Sequence, residues 1–163
     1  ACNRFGGTML PWSLAILILV LDQWTKAWIR LHFSYGESRP IMDGFFNLVY
    51  VRNDGAAWNL LSGQSWLLIT ISLGVLLFLA IKGRAELMQT RFRQVLYGLL
   101  LGGIGGNLAD RIRFGWVTDF LDFQFGSYHY PSFNLADAAI CVGAILYIWS
   151  QRAKTNSTEA SDA

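Results

Sequence analysis

The sequence predicts an all-α membrane protein of four transmembrane helices, with a small extracytoplasmic β platform in its first outer loop. Three observations carry that prediction. Of 163 residues, 53% are hydrophobic and only 15% charged. The apolar residues fall in long blocks rather than in the short alternations of a soluble core. There are four such blocks, each near the roughly 20 residues that a hydrocarbon layer of about 30 Å requires of a helix.

The first block, LPWSLAILILVLDQWTKAWI, begins at Leu10 and covers residues 10–29. Arg4 before an apolar run would also suit a cleaved signal peptide, but no small-x-small site follows. The run instead continues through Asp22 and Lys26, so the segment is expected to stay. The second block, SWLLITISLGVLLFLAIK, occupies 65–82 and is the cleanest of the four. The third, FRQVLYGLLLGGIGGNLADRI, covers 92–112, and the fourth, FNLADAAICVGAILYIWS, covers 133–150. Residues 30–64 and 113–132 then form outer loops, and 152–163 read as a disordered tail on one membrane domain, 1–163.

Positive charge sets the expected orientation. Arg4, Lys82, Arg84, Arg91, Arg93, Arg152 and Lys154 fall on one side, which the positive-inside rule makes cytoplasmic for both termini. The outer loops hold Arg30, Arg39, Arg52 and Arg113, offset by Glu37, Asp43, Asp54, Asp119 and Asp122. Trp12 and Trp149 toward one face, and Trp28, Trp66 and Trp116 toward the other, fit interfacial belts. A net charge of +2 gives no reason to expect a nucleic-acid partner. Cys2 and Cys141 sit at different depths, which excludes a bridge, and neither they nor the isolated His32 and His129 have metal-ligand spacing.

In the first outer loop, GFFNLVYV reads as a strand that runs into an Asn-Asp-Gly turn at Asn53 to Gly55 and then a second short strand. The second outer loop is aromatic, ends near Pro131 and carries Asp119 in a segment expected to be flexible.

At about 1.5 Å per residue, Asp22 and Lys26 lie roughly 18 to 24 Å up the first helix, and Asn107 and Arg111 roughly 21 to 28 Å up the third. Asp137 lies about one turn into the fourth helix from the outer side. These groups converge on the outer leaflet, where ionisable residues are costly unless they pair or perform chemistry. Asp22 with Lys26, and Asn107 with Arg111 and Asp110, share spacings that allow them to satisfy one another as support. Gly98, Gly102 and Gly106 form a small-xxx-small face, read as packing within the bundle of a monomer.

Asp119 and Asp137 remain as two acids able to share one proton, one acting as general base toward water and the other as general acid. Composition and spacing leave two classes open: a water-activating intramembrane hydrolase, or a proton- or ion-coupled transporter using the same acids as a relay. An assembly factor without chemistry fits less well with so much buried charge.

Five blocks in order then resemble the bacterial lipoprotein signal peptidase family, also called signal peptidase II. They are Asp22 with Lys26 in LDQWTK, Asn53 to Ala57 in N-x-G-A-A, GGIGGNLADR ending at Arg111, VTDF from Val117, and FNLAD ending at Asp137. The resemblance implies an aspartic endopeptidase of the bacterial cytoplasmic (inner) membrane with its active site on the outer side. Its substrates would be diacylglyceryl-modified prolipoproteins, cut on the N-terminal side of the lipidated cysteine, in contact with membrane lipid and with no cofactor or metal. By motif match the catalytic pair is Asp119 and Asp137. Asp22, Lys26, Asn53, Gly55, Asn107, Asp110, Arg111 and Asn134 would shape the site or contact substrate. Trp58 and Asn59 depart from the family pattern, which more often has Phe and Ser there.

Overall fold

The computed structural model describes residues 9–56, 60–83 and 87–159. Helix α1 (Leu10–His32) carries Pro11 in its first turn, where the missing N–H has no helical partner to lose. A hairpin of β1 (Ser38–Met42) and β2 (Phe46–Asn53) follows. Helix α2 (Ser65–Phe78) runs into a π-helical turn, Leu79–Gly83, whose Leu79 carbonyl accepts a bond from the Tyr97 hydroxyl. Helix α3 (Arg91–Phe114) starts at Thr90, whose side chain accepts from the Arg93 N–H. It stops at Gly115, which adopts the left-handed conformation (φ 82°) that a β-carbon would disfavour. Strands β3 (Val117–Phe125) and β4 (Tyr128–His129) lead to helix α4 (Leu135–Glu159).

Helix α3 is the centre of the bundle, wedged between α1 and α4 with α2 on its flank. Glycines allow this on two faces. A β-carbon at Gly98 or Gly102 would lie 2.8 Å from the Pro11 carbonyl oxygen or 2.7 Å from that of Ala15, both on α1. At Gly103 it would lie 2.6 Å from the Ala136 carbonyl oxygen on α4. The small-residue face expected from the sequence is therefore occupied inside the chain.

The four strands form one antiparallel sheet in the order β1-β2-β3-β4. This corrects the expected platform: β2 lies where the sequence placed a strand, but its partners are β1 before it and β3 from the second loop. The second strand expected after the Asn-Asp-Gly turn is absent among the described residues, and Ala57, Trp58 and Asn59 lie outside them. Asp54 explains the turn instead, because its carboxylate accepts from Ser62 Oγ at 2.7 Å and the Gly63 N–H at 3.2 Å, closing the segment on itself. Helix α4 also runs to Glu159, past residue 152 where a disordered tail was expected. Extending a formed helix costs far less than nucleating one, and Arg152, Ala153 and Lys154 are good helix formers.

Ile29 of α1 and Phe33, which caps that helix, meet Tyr50 of β2 and Phe120 of β3 in a buried cluster that seats the sheet on the end of the bundle. At about 1.5–3 kcal/mol for each fully buried large side chain, this contact holds the sheet in a definite place. Elsewhere the apolar surface faces outward: Ile16 and Val20 on α1, Leu77 and Phe78 on α2, and Ile145 and Ile148 on α4 are exposed. So extensive an apolar surface suits lipid rather than water. Among the described helices, Ser65–Gly83 is the one whose length and composition alone suffice to cross a membrane. Helices α1 and α3 fall short of that measure because of the charges they turn inward.

Candidate active site

The start of α4 brings the two acids together. Asn134 caps the helix: its Oδ1 accepts from the Asp137 N–H at 3.0 Å, and the Asp137 carboxylate accepts from the Asn134 N–H at 3.2 Å. This reciprocal pair is a capping box with Asn and Asp in the usual Ser/Thr and Glu roles. The Nδ2 of Asn134 is thereby free to donate to Asp119 Oδ1 at 2.7 Å. The other oxygen of Asp119 accepts from Asn53 Nδ2 at 2.9 Å, and Asn53 Oδ1 accepts from the Gly55 N–H at 3.0 Å.

Asp119 is not in a flexible segment, as the sequence suggested. It lies on β3 opposite Val51 of β2 and is 1% exposed. Burial, and next the Asp137 charge, push its carboxyl up to about 7, against the opposing pull of the Asn53 and Asn134 amides and of Lys26. A carboxyl of this kind keeps its proton close to neutral pH.

A second polar chain supports Asp137. Its Oδ1 accepts from Asn107 Nδ2 at 2.7 Å, while Asn107 Oδ1 accepts from Lys26 Nζ at 2.9 Å. Lys26 also pairs with Asp22 at 2.8 Å and lies 3.6 Å from Asp110. All three charged groups are 0% exposed. The other oxygen of Asp22 accepts from the Ala136 N–H at 2.9 Å, so a carboxylate on α1 binds the open N-terminus of α4. Asp110 accepts from the Thr118 N–H at 3.0 Å and from Gln23 Nε2 at 3.0 Å, which ties α3 to β3 and α1.

The sequence expectation that Asn107, Arg111 and Asp110 satisfy one another is corrected here. Asn107 turns to Lys26 and Asp137, and Arg111 donates from Nη2 to the Gly55 carbonyl at 2.8 Å. The Nε of Arg111 is buried without a partner. Gly55 is thus a backbone contact for both Arg111 and Asn53. Two residues that the sequence reading passed over also belong to the frame: Gln23, inside the LDQWTK block, and Arg30, which donates to Thr118 Oγ1 at 2.9 Å.

Asn53, Asn107, Arg111, Asp119 and Asp137 line one side of an open cleft of about 990 Å³. Arg52 of β2 also borders the cleft, and the rest of its wall is largely apolar, with Phe45, Phe123, Tyr130 and Phe133 from the sheet side and Ile140 and Val142 from α4. Among the described residues no three His, Cys, Asp or Glu side chains converge as a metal-holding group. The arrangement can bind an extended apolar molecule, set a water between two carboxyl groups, and transfer protons on either side of a reacting carbonyl.

A lipid-facing helix bundle with paired acids at the head of an apolar cleft defines a membrane-embedded enzyme, and its similarities agree. A bacterial membrane enzyme solved by the in meso method aligns with a TM-score of 0.81 at 33% identity, covering 94% of this chain and 92% of that one. A second such enzyme gives 0.74 at 34% identity, covering 90% and 94%. The family described as Signal peptidase (SPase) II matches residues 14–152. The lipoprotein signal peptidase of Syntrophus aciditrophicus is 45% identical over 141 residues, covering 81% of this chain and 85% of the relative. That of Shewanella baltica (strain OS155) is 40% identical over 154 residues, covering 90% of each. That of Yersinia pestis (strain Pestoides F) is 41% identical over 147, covering 87% and 86%. The chain belongs to the signal peptidase II family, and it is a bacterial membrane protein.

Proposed function

We propose that the protein is an aspartic endopeptidase that removes the signal peptide from diacylglyceryl-modified prolipoproteins, with Asp119 and Asp137 as its catalytic pair. The observation that carries the reading is the pairing of a buried, proton-retaining Asp119 with a helix-capping Asp137 on the wall of one apolar cleft. Membership in the signal peptidase II family supports peptide hydrolysis, and none of the similarities supports the ion-relay alternative.

The Asp137 carboxylate takes a proton from water as the water oxygen attacks the scissile carbonyl carbon. The Asp119 carboxyl gives its proton to the carbonyl oxygen, forming a gem-diol. The C–N bond then breaks: the leaving nitrogen takes the proton held by Asp137, and a diol hydroxyl returns its proton to Asp119 as the carbonyl re-forms. Arg111, with an unpartnered Nε beside the cleft, holds a backbone carbonyl of the substrate. Asp22, Lys26, Asn53, Gly55, Asn107, Asp110 and Asn134 hold the acids and the adjoining backbone in place. The four long helices span the bacterial inner membrane with both termini cytoplasmic, and the sheet lies on the outer side. The lipid of the substrate then occupies the apolar wall while the scissile bond meets the acids at the interface. The protein works as a monomer, because the small-residue face that would serve a dimer is filled by α1.

Purified protein should cleave a diacylglyceryl-modified prolipoprotein and leave the unlipidated precursor intact, as read by gel shift. Asp119→Asn and Asp137→Asn should each abolish the shift while remaining folded in detergent. Turnover in either variant would remove the paired-acid reading.

A further inference from the structure

The outer arginines run against the positive-inside pattern, and none of them takes part in the proton transfers proposed above. Arg39 is paired with Glu37 at 2.7 Å, Arg30 lies 3.7 Å from Asp110, and Arg113 donates to Gln23 Oε1 at 3.4 Å. Arg52 differs: it is exposed and has no carboxylate partner among the described residues. Its guanidinium lies over three rings, 4.8 Å from Tyr35, 5.5 Å from Tyr50 and 4.7 Å from Trp116. Its Nε donates to the Tyr50 hydroxyl at 3.2 Å.

Aromatic faces hold a guanidinium by its π surface and leave its edge N–H groups in plane, and with Nε given to Tyr50 the two Nη groups of Arg52 form the edge that remains. A planar edge with two parallel donors matches a phosphodiester, and Tyr and Trp are the residues that settle at headgroup depth. We propose that Arg52, held by Tyr35, Tyr50 and Trp116, is a binding site for the phosphate of an anionic membrane phospholipid. The proposal rests on the outer-side placement of the sheet given above. Arg52 and Asn53 are consecutive on β2, both border the cleft, and Asn53 holds Asp119. A phosphate fixed to Arg52 therefore sets the depth of the catalytic acids relative to the headgroups. Charge complementarity selects an anionic lipid over a zwitterionic one, because the ammonium of the latter would face an unneutralised cation.

The test is native mass spectrometry of the delipidated full chain, titrated with phosphatidylglycerol or phosphatidylcholine, with prolipoprotein cleavage in detergent measured in parallel. Wild type should retain one phosphatidylglycerol that Arg52→Gln binds about tenfold more weakly, the scale of one lost charge-assisted pair. Arg39→Gln should bind like wild type, and Arg52→Gln should keep cleaving in detergent, which shows it folded. Arg52→Lys, which keeps the charge and loses the fork, should fall between the two and serves if Arg52→Gln is unstable. Glycerol phosphate should not displace the lipid at equal concentration; displacement would mean a free-phosphate site and overturn the lipid assignment. Equal lipid retention by wild type and both Arg52 variants would overturn the site. Loss of cleavage by every variant and wild type alike, with lipid binding intact, would count against the peptidase reading and leave the site standing.

Discussion

Asn53→Ala isolates one of the two amides that favour the ionised form of Asp119. The Asn53 Nδ2 to Asp119 Oδ2 bond is 2.9 Å long, and with Asn134 it opposes the burial and the Asp137 charge that lift the Asp119 carboxyl to about 7. A hydrogen bond to a charged group contributes about 1.5–3 kcal/mol, and the half-buried setting of Asn53 argues for the lower end. At 1.36 kcal/mol per pH unit, a loss of about 1.5 kcal/mol raises the Asp119 carboxyl by about one unit. Asp119 must be protonated to act as the acid, so kcat/KM should fall as pH rises through about 7 in the wild type. In Asn53→Ala the same alkaline limb should move to about pH 8, one unit higher. The overall rate should drop as well, because Asn53 Oδ1 also accepts from the Gly55 N–H and the adjoining backbone loosens. That loss scales the profile without moving it. The assay is kcat/KM for a lipidated precursor between about pH 5 and 9, wide enough to bracket both limbs. An alkaline midpoint that stays put or moves to lower pH would refute the assignment of Asp119 as the protonated partner.

Other expectations follow from the same contacts. Lys26→Ala would strand Asp22 and Asp110, both 0% exposed, and should cost about 3–5 kcal/mol, seen as a large fall in thermal midpoint in detergent. Full stability with no turnover would instead make Lys26 a participant in the chemistry. Gly106→Ala would set a β-carbon 2.5 Å from Asp22 Oδ2 and should lower stability by about 1–3 kcal/mol, together with activity, because Asp22 must leave the Ala136 N–H. Its neighbour Gly105, where a β-carbon would meet Leu19 at 3.7 Å, should accept Ala with little change, and equal damage at both positions would disprove the contact argument. The carboxyl of Asp119 is raised in the fold, so its contribution to stability is complete below about pH 4 and is lost as pH rises through about 7. Asp119→Asn should therefore gain thermal stability relative to wild type across that window, and a constant difference would rule this linkage out.

Much of the helical frame was legible because it depends on local features. Three apolar blocks became helices within a few residues of their expected limits, while the fourth ran nine residues past its expected end, and the Gly98, Gly102 and Gly106 spacing correctly announced close packing inside the bundle. Asp137 was placed one turn into its helix for a similar reason, since Asn134 and Asp137 make a cap readable from three residues of spacing. The sheet was harder. VTDFLDFQF alternates polar and apolar residues on both faces, as Asp119 and Asp122 fall on opposite sides, so no clean amphipathic period marks it. Its partner strand is some sixty to eighty residues away in sequence, as Asn53 opposite Val117 and Phe46 opposite Phe123 show, and no local signal encodes that pairing. The Lys26 contacts divide the same way. Asp22 is visible at i,i+4, whereas Asn107 comes from another helix and required the Gly-lined approach of α3 to α1.

That approach explains why the acids are surrounded by asparagines rather than by glutamines or further acids. An amide offers one acceptor and one donor group, and at all three positions the acceptor is already committed. Asn107 Oδ1 faces the Lys26 ammonium, Asn134 Oδ1 the Asp137 N–H, and Asn53 Oδ1 the Gly55 N–H. Each NH2 is then left to point at a carboxylate, two at Asp119 and one at Asp137. A carboxylate in place of any of them would present acceptors to an acid and add a charge to a site that already pushes Asp119 toward its neutral form. Glutamine would lengthen the side chain and displace its carbonyl from the donor that orients it. The short amides thus fix the direction of every donor and keep the charge of the pair low enough for one proton to stay between two acids. This links the order of the buried network to the proton inventory that hydrolysis requires.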